Sequence, residues 1–145
     1  YIALQKRRFG ERFSFILECG SQGGDAMLPS IIFQPLVENS LIHGIAEYPS
    51  GGTILIHAGL EHGRIHIFVK DNGVGITEVQ IRALYSAYQS DDPLLRKKTG
   101  LYGVIYILRY YFGKDLEMQI EREEKGVCIS FFFPYETSRR PTVSL

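Results

Sequence analysis

The sequence predicts an α+β domain, a two-layer sandwich in which three helices cover one face of a mixed, mostly antiparallel sheet. Segments 53–60 and 64–70 alternate apolar and polar residues with period two around a short turn, and segments 116–122 and 127–133 pair across another. Three segments with helical spacing of apolar residues interrupt these strands. Because hairpins require antiparallel neighbours, a doubly wound parallel fold is disfavoured.

The first half of the chain is predicted to form a strand, a helix and a hairpin. Residues 12–19 are rich in aromatic and β-branched side chains, which is typical of a strand. A helix over about 30–46 follows, with Ser30 as its N-cap. Gly63 ends the hairpin turn, where a glycine adopts a positive φ at little cost. The residues of the helix that are expected to face the core are Phe33, Val37, Leu41 and Gly44.

The second half is predicted to hold two helices and the final hairpin. Thr77 and Gln80 form a capping-box pattern at the start of the second helix. Residues 89–99 are polar and predict a mobile loop. The third helix, 101–112, is apolar nearly all round, so we expect it to be well buried, and Gly113 should end it. The apolar positions of the second helix are Ile81, Leu84, Tyr85 and Tyr88.

Length and charge limit the classes of function. The 145 residues fit one domain, and the 16 basic and 16 acidic residues cancel. A net charge of zero argues against a nucleic-acid partner or a broad membrane-surface footprint, which both require a basic excess. The two cysteines form neither a disulfide framework nor a metal motif, which favours a reducing, intracellular setting.

The chain is predicted to be a fragment of a longer protein. It lacks an initiator Met, and residues 1–10 resemble the end of a linker from an upstream domain. We expect residues 11–136 to form the folded domain and residues 137–145 to form a frayed tail.

Three segments contain candidate residues for catalysis or ligand binding. On the first helix, Glu38 and Asn39 lie away from the core stripe centred on Val37, and their oxygens suit a hard cation such as Mg²⁺. The alternative is that both are ordinary surface residues, which a single segment does not exclude.

The second segment, residues 71–75, reads DNGVG and follows a strand. An ionised Asp71 only accepts hydrogen bonds, so it can select the amine of adenine over the carbonyl of guanine. Gly73 and Gly75 allow the backbone to approach a flat base. The alternative is a tight turn that uses Asn-Gly for its dihedral angles.

The third segment, residues 98–103, reads KTGLYG at the start of the third helix. A helix N-terminus presents unpaired N–H groups to an anion, and glycine lets a phosphate come close. The alternative is a plain junction between a loop and a helix. Taken together, the three segments describe the parts of one site for a magnesium–adenine nucleotide.

These segments resemble the N, G1 and G2 boxes of the ATP-binding catalytic domain of sensor histidine kinases. That domain belongs to the GHKL group, which also holds type II topoisomerases, Hsp90 chaperones and MutL proteins. The segment QPLVENSLIHG is similar to the N box of the LytS/YesM-like membrane sensor kinases. The resemblance runs from about residue 1 to Pro134 and implies the Bergerat fold, a two-layer α/β sandwich.

The resemblance also implies a role for each matching residue. Asn39 would coordinate Mg²⁺, Glu38 would act as base or orienting group for the phosphoacceptor histidine, and Asp71 would bind the adenine amine. Gly73 and Gly75 would form the base pocket, and residues 89–99 would form a lid over ATP. The other positions assigned to nucleotide binding are His43, Lys98, Thr99, Gly100, Leu101 and Gly103.

Four positions depart from the family pattern. Lys98 replaces a glycine and Gly103 an asparagine of the third box, while Ile42 replaces a frequent lysine and Val127 a threonine. Losing a charged contact to phosphate costs about 1.5–3 kcal/mol. The alternative function is therefore a degenerate nucleotide-binding domain that acts as a signalling scaffold with weak or no use of ATP.

The resemblance implies the catalytic domain of a two-component protein-histidine kinase. It would bind Mg²⁺–ATP and donate the γ-phosphoryl to a histidine on a domain outside this sequence, so this fragment is not expected to autophosphorylate alone. The full-length kinase would be a membrane-anchored homodimer that passes the phosphoryl to a response regulator. This chain would then be the cytoplasmic domain of a bacterial inner-membrane protein.

His57 and His66 lie on neighbouring predicted strands, and they are placed to oppose each other. A metal site there is possible, but ordinary sheet-surface histidines are favoured because we find no Cys or carboxylate at ligand spacing. None of the four histidines resembles the phosphoacceptor, which in the family precedes this segment.

Overall fold

A computed structural model of the chain describes residues 13–19, 30–45, 51–90 and 100–135. The order of elements agrees with the sequence prediction. The elements are β1 (Phe13–Cys19), α1 (Ser30–Asn39) with a π-helical turn (Ser40–Ile45), β2 (Gly52–Glu61), β3 (Arg64–Asp71), α2 (Glu78–Gln89), α3 (Leu101–Phe112) with a 3₁₀ turn (Gly113–Asp115), β4 (Glu117–Arg122) and β5 (Val127–Pro134).

The described strands form one mixed sheet in the order β1-β2-β3-β5-β4. β1 runs parallel to β2, and the other neighbouring pairs are antiparallel. His62 and Gly63 turn the β2–β3 hairpin with φ of 51° and 77°. The predicted α+β class, with a mostly antiparallel sheet, is confirmed.

The two faces of the sheet differ because side chains alternate along each strand. On β3, the odd-numbered residues from Ile65 to Asp71 are buried and the even-numbered ones are half-buried. The buried face packs under the helices and forms the core. The largest fully buried core side chains include Leu36, Leu41, Ile54, Ile67, Ile105, Leu108, Phe131 and Phe133.

The first helix has the predicted extent but changes its geometry. It is α-helical to Asn39 and then continues as a wider π-helical turn. Val37 and Leu41 are buried in the core as expected, and Phe33 is partly buried against it. Gly44 is also buried, but it packs against the carboxyl group of Asp71 rather than against apolar side chains.

Helix α2 begins with the predicted capping box. The Gln80 N–H donates to Thr77 Oγ1 at 3.3 Å, and the Thr77 N–H donates to Gln80 Oε1 at 2.8 Å. Two tyrosines then join α2 to the edge of the sheet. Tyr88 Oη donates to the carbonyl of Leu116, and Tyr85 Oη accepts from the Ile120 N–H at 3.2 Å.

The prediction that helix α3 is well buried holds for one face of the helix only. Leu101, Val104, Ile105 and Leu108 form one buried face, whereas Tyr110 is 74% exposed. The helix lies on the surface of a two-layer domain, so one side of it faces solvent despite its composition. Gly113 ends it as predicted, with a φ of 53°.

Three predicted segments lie outside the described residues: the linker 1–10, most of the loop 89–99 and the tail 137–145. Within the part of the chain that is described, no helix is long and apolar enough to cross a membrane.

The capping box gives a first test of the fold. We expect Thr77→Ala to lower the free energy of unfolding by about 1 kcal/mol, because the Gln80 N–H loses its acceptor, Thr77 Oγ1, and Gln80 Oε1 loses the hydroxyl that donates to it. Urea denaturation followed by circular dichroism measures this. The control is Ser86→Ala, an exposed position within the same helix, which should change stability by less than about 0.5 kcal/mol. Equal effects of the two variants would contradict a capping role for Thr77.

Candidate functional site

A cavity of about 290 Å³ lies where the end of α1, the loop after β3, α2 and the start of α3 meet. This volume is near the lower end of the range for small-molecule pockets, which is about 300–1,000 Å³. The three sequence segments contribute to its wall together. The lining residues are Asn39, His43, Gly44, Asp71, Gly75, Ile76, Gln80, Leu84, Gly100, Leu101, Tyr102 and Val127.

A backbone contact joins the first two segments. The Val74 N–H donates a hydrogen bond of 2.8 Å to the carbonyl oxygen of Gly44. A Cβ atom on Gly73 would lie 2.0 Å from that oxygen, and a Cβ on Gly44 would lie 2.9 Å from the Asp71 carboxylate. The two glycines therefore allow the π-helical turn to pack directly on the loop.

The position of Gly73 differs from the sequence interpretation. It was expected to form a base pocket, but it packs against Gly44 and does not line the cavity. Gly75 does line the cavity, and its φ of 79° favours glycine there.

Asp71 is the last residue of β3 and is 1% exposed. Its Oδ1 accepts a hydrogen bond from the Gly73 N–H at 3.0 Å. Among the described residues, nothing donates a hydrogen bond to Oδ2. Burial raises the pKa of Asp71, while the nearby Gly73 N–H, Ser40 hydroxyl and Val127 backbone act in the opposite direction. The cavity thus contains a buried acceptor that a donor on a ligand would satisfy.

Asn39 and His43, one helical turn apart in α1 and the π-helical turn, also line the cavity. Asn39 offers one amide oxygen. That donor fits Mg²⁺, which proteins usually hold through one or two side chains while phosphate oxygens and water complete the shell. Glu38 is half-buried beside this wall, does not line the cavity, and accepts a hydrogen bond of 3.1 Å from Gln34 Nε2.

The start of α3 forms another part of the wall. Gly100 is its N-cap, with a φ of 66° and no side-chain capping bond. Hydrogen bonding along the helix begins at the Val104 N–H, which donates to the Gly100 carbonyl at 3.2 Å. Gly100, Leu101 and Tyr102 line the cavity, and Gly103 does not. Lys98 and Thr99 lie outside the described residues.

The sequence interpretation did not assign several lining residues to the site. Ile76 and Leu84 supply apolar surface, and Gln80 serves both the capping box and the cavity wall. The spacing of Gln80 and Leu84 at i and i+4 places them on one helix face, which is the signal available in the sequence. Val127, noted above as a departure from the family pattern, pairs with Asp71 in the sheet and also lines the cavity.

Comparison with known proteins agrees with this geometry. Residues 24–137 match the family described as "Histidine kinase-, DNA gyrase B-, and HSP90-like ATPase". Sensor histidine kinase YpdA of Escherichia coli is 31% identical over 144 residues, which cover 99% of this chain and 24% of that protein. Sensor protein LytS of Oceanobacillus iheyensis is 26% identical over 140 residues, which cover 97% and 24%. This chain therefore spans about a quarter of the length of these relatives.

A solved structure shows the same fold. Histidine kinase ThkA, solved in complex with the response regulator protein TrrA, superposes with a TM-score of 0.61 at 19% identity. The match covers 96% of this chain and 38% of that chain.

The contact between Gly44 and Gly73 predicts that a single added methyl group at Gly73 strongly lowers the stability of the domain. We expect Gly73→Ala to lower the free energy of unfolding by about 3 kcal/mol or more, because its methyl group would overlap a backbone carbonyl that cannot rotate away. Gly63→Asn is the control. Gly63 lies in the β2–β3 turn with a φ of 77° and open space around it, and Asn tolerates that conformation. Denaturation in urea compares the two, and a Gly73→Ala cost no larger than that of Gly63→Asn would contradict the contact.

The burial of Asp71 predicts a pH dependence. Because its folded pKa is raised above 3.8, the folded state binds the proton more tightly than the unfolded chain. The contribution of Asp71 to stability therefore falls as pH rises from the unfolded pKa through the raised folded pKa. We expect the stability of Asp71→Asn, relative to the wild type, to increase with pH over that window and then to stay constant. Urea denaturation of both proteins at a series of pH values tests this, and a difference that decreases with pH would contradict it.

Proposed function

We propose that this chain, which belongs to the family of histidine kinase-, DNA gyrase B- and HSP90-like ATPases, binds ATP with Mg²⁺ in this cavity and is the catalytic domain of a sensor histidine kinase. The observation that carries the proposal is the convergence of three distant segments on one cavity. Asn39, Asp71 and Gly100 all line it, although the first and the last are 61 positions apart in the chain.

The adenine base is assigned to Asp71. Its unpartnered Oδ2 is a buried acceptor, and the exocyclic amine of adenine is a donor of matching chemistry. Guanine presents a carbonyl at the equivalent position and would leave two acceptors facing each other. Ile76 and Leu84 provide apolar surface for the faces of the ring.

The phosphates are assigned to the start of α3 and the metal to Asn39. The N–H groups of the first turn and the positive end of the helix dipole favour an anion at Gly100 and Leu101. When bound, Mg²⁺ neutralises charge on the phosphate oxygens. His43 lies on the same wall as Asn39, and we include Lys98, Thr99 and Gly103 in the phosphate region from the family resemblance alone.

Glu38 is assigned to the phosphoacceptor histidine. In the transfer, the bond between the γ-phosphorus and the bridging oxygen breaks, ADP leaves with that oxygen, and an imidazole nitrogen bonds to phosphorus. A carboxylate that accepts a hydrogen bond from the N–H of the other imidazole nitrogen orients the ring and increases its basicity. Glu38 is half-buried beside the cavity rather than within it, which suits a group that meets an incoming domain.

The whole protein is proposed to be a two-component sensor. Its relatives YpdA and LytS are sensor proteins, and ThkA forms a complex with a response regulator. We infer that the full-length kinase is a membrane-anchored homodimer with this domain in the cytoplasm, and that a response regulator receives the phosphoryl group.

A second candidate function is a scaffold that uses ATP weakly or not at all. Ile42, where related kinases often have a lysine, is 54% exposed and supplies no charge to phosphate. Val127 lines the cavity next to Asp71 without the hydroxyl that a threonine would provide.

Isothermal titration calorimetry with ADP and ATP, in Mg²⁺ and in EDTA, separates these functions. We expect Asp71→Asn to weaken binding about 10- to 100-fold in both conditions, because an amide donor would face the adenine amine. Asn39→Ala should weaken binding only when Mg²⁺ is present. Asp115→Asn, an exposed position outside the cavity, is the matched control and should leave affinity unchanged.

Two results would contradict the proposal. Absence of binding at millimolar nucleotide would favour the scaffold. Equal affinity of the wild type and Asp71→Asn for ADP, or equal affinity of the wild type for ADP and GDP, would remove Asp71 from base recognition.

A further inference from the structure

A cluster of two histidines and one glutamate lies on the sheet face opposite the helices. It consists of His57 and Glu61 on β2 and His66 on β3, and we call it the His–Glu–His cluster. One ligand atom from each residue lies within 4.8 Å of the others. Among the residues that the structure describes, no other group of three His, Cys, Asp or Glu side chains meets this spacing.

The structure corrects two parts of the sequence interpretation of these histidines. They are not directly opposed, because His57 pairs with Phe68 and His66 pairs with Gly59, which sets them on a diagonal. A carboxylate does lie at ligand spacing. The register brings Glu61 Oε1 to 3.0 Å from His66 Nδ1 and 3.3 Å from His57 Nε2.

The two imidazole rings are held in place by aromatic neighbours. His57 stacks on Phe68 with ring centroids 4.9 Å apart, and His66 stacks on Phe132 at 4.0 Å. The side chains of His57 and His66 are only 16% and 13% exposed. Ordered rings lose little conformational entropy when they bind a ligand, so the cluster is preorganised.

Two buried ring nitrogens of the cluster, His57 Nε2 and His66 Nε2, make no hydrogen bond to the residues that the structure describes. His57 Nε2 does lie 3.3 Å from Glu61 Oε1, without the geometry of a hydrogen bond. A buried polar atom that lacks a hydrogen bond is costly, and a metal ion bound to His57 Nε2 would remove that cost.

The carboxylates around the cluster suit metal binding. The side chain of Glu61 is 44% exposed, so this carboxylate has access to solvent. Glu18 Oε2 lies 3.8 Å from His57 Nδ1, on the far side of that ring, where a carboxylate commonly orients a metal-bound histidine.

We propose that His57, Glu61 and His66 form a binding site for a divalent transition-metal ion of the Zn²⁺ type. Zn²⁺ takes imidazole nitrogen and carboxylate oxygen at about 2.0–2.2 Å, which places tetrahedral ligand atoms about 3.3 Å apart. The two separations to Glu61 are 3.0 and 3.3 Å, and all three ligand atoms lie within 4.8 Å of one another. Binding therefore requires the two imidazole nitrogens to approach each other by up to about 1.5 Å. Water would complete the fourth position on the exposed side.

This site is separate from the proposed Mg²⁺ site. His66 and Asp71 lie on the same strand, but even- and odd-numbered residues of β3 point to opposite faces of the sheet. Imidazole ligands favour Zn²⁺, Cu²⁺ or Ni²⁺ over Mg²⁺, which prefers oxygen. The proposal therefore does not depend on nucleotide binding.

Calorimetric titration of EDTA-treated, dialysed protein with zinc chloride tests the site, with Mg²⁺ present throughout. We expect one Zn²⁺ ion per chain. Glu61→Gln and His66→Gln should each weaken binding by at least about tenfold, since loss of a ligand costs no less than loss of an outer-sphere partner. Glu61 is exposed, so its substitution leaves the fold intact, and circular dichroism verifies both variants.

His62→Asn is the matched control, because His62 lies in the same hairpin at a positive φ and outside the cluster. It should retain full affinity, and so should Asp71→Asn. Substitution of Co²⁺ for Zn²⁺ gives a second readout, a visible ligand-field spectrum that Glu61→Gln alters. Absence of Zn²⁺ binding by the wild type, or equal losses in His62→Asn and Glu61→Gln, would overturn the site.

Discussion

The close approach of two backbone segments, at Gly44 and Gly73, is the contact on which the cavity depends. The π-helical turn after Asn39 packs on the loop after β3 through the hydrogen bond between the Val74 N–H and the Gly44 carbonyl. No side chain fits between these segments. Because the contact is made by backbone, it fixes the distance between the wall that carries Asn39 and the strand end that carries Asp71. A longer separation would move these two parts of the cavity wall apart.

This packing has an electrostatic consequence. Gly44 covers the carboxyl group of Asp71, so water is excluded and the charged form is destabilised. One carboxyl oxygen accepts a hydrogen bond from the Gly73 N–H, and the other accepts none from the described residues. The burial of Asp71 therefore lowers the stability of the domain. A ligand that donates a hydrogen bond to this carboxylate would recover part of that stability. A buried acceptor of this kind discriminates between ligands, because a ligand without a matching donor leaves it without a hydrogen bond.

The alternation of side chains along β3 divides the domain into two chemical surfaces. Asp71 faces the helices and the cavity, whereas His66 faces the other side with the His–Glu–His cluster. The oxygen donors near Asn39 and the imidazoles near Glu61 therefore lie on opposite sides of the sheet, although β3 carries residues of both groups. A single sheet can hold two sites of different ligand preference because its thickness separates them.

Local patterns in the sequence were sufficient for the order of the elements, the α+β class, the capping box of Thr77 and Gln80, and the end of α3 at Gly113. Each of these depends on neighbouring residues, whose spacing is visible along the chain. The tertiary structure alone decided that Gly73 packs against Gly44, that one side of α3 around Tyr110 faces solvent, and that Glu61 joins His57 and His66. These outcomes depend on strand register and on contacts between residues far apart in the chain, and no short-range pattern encodes either of them.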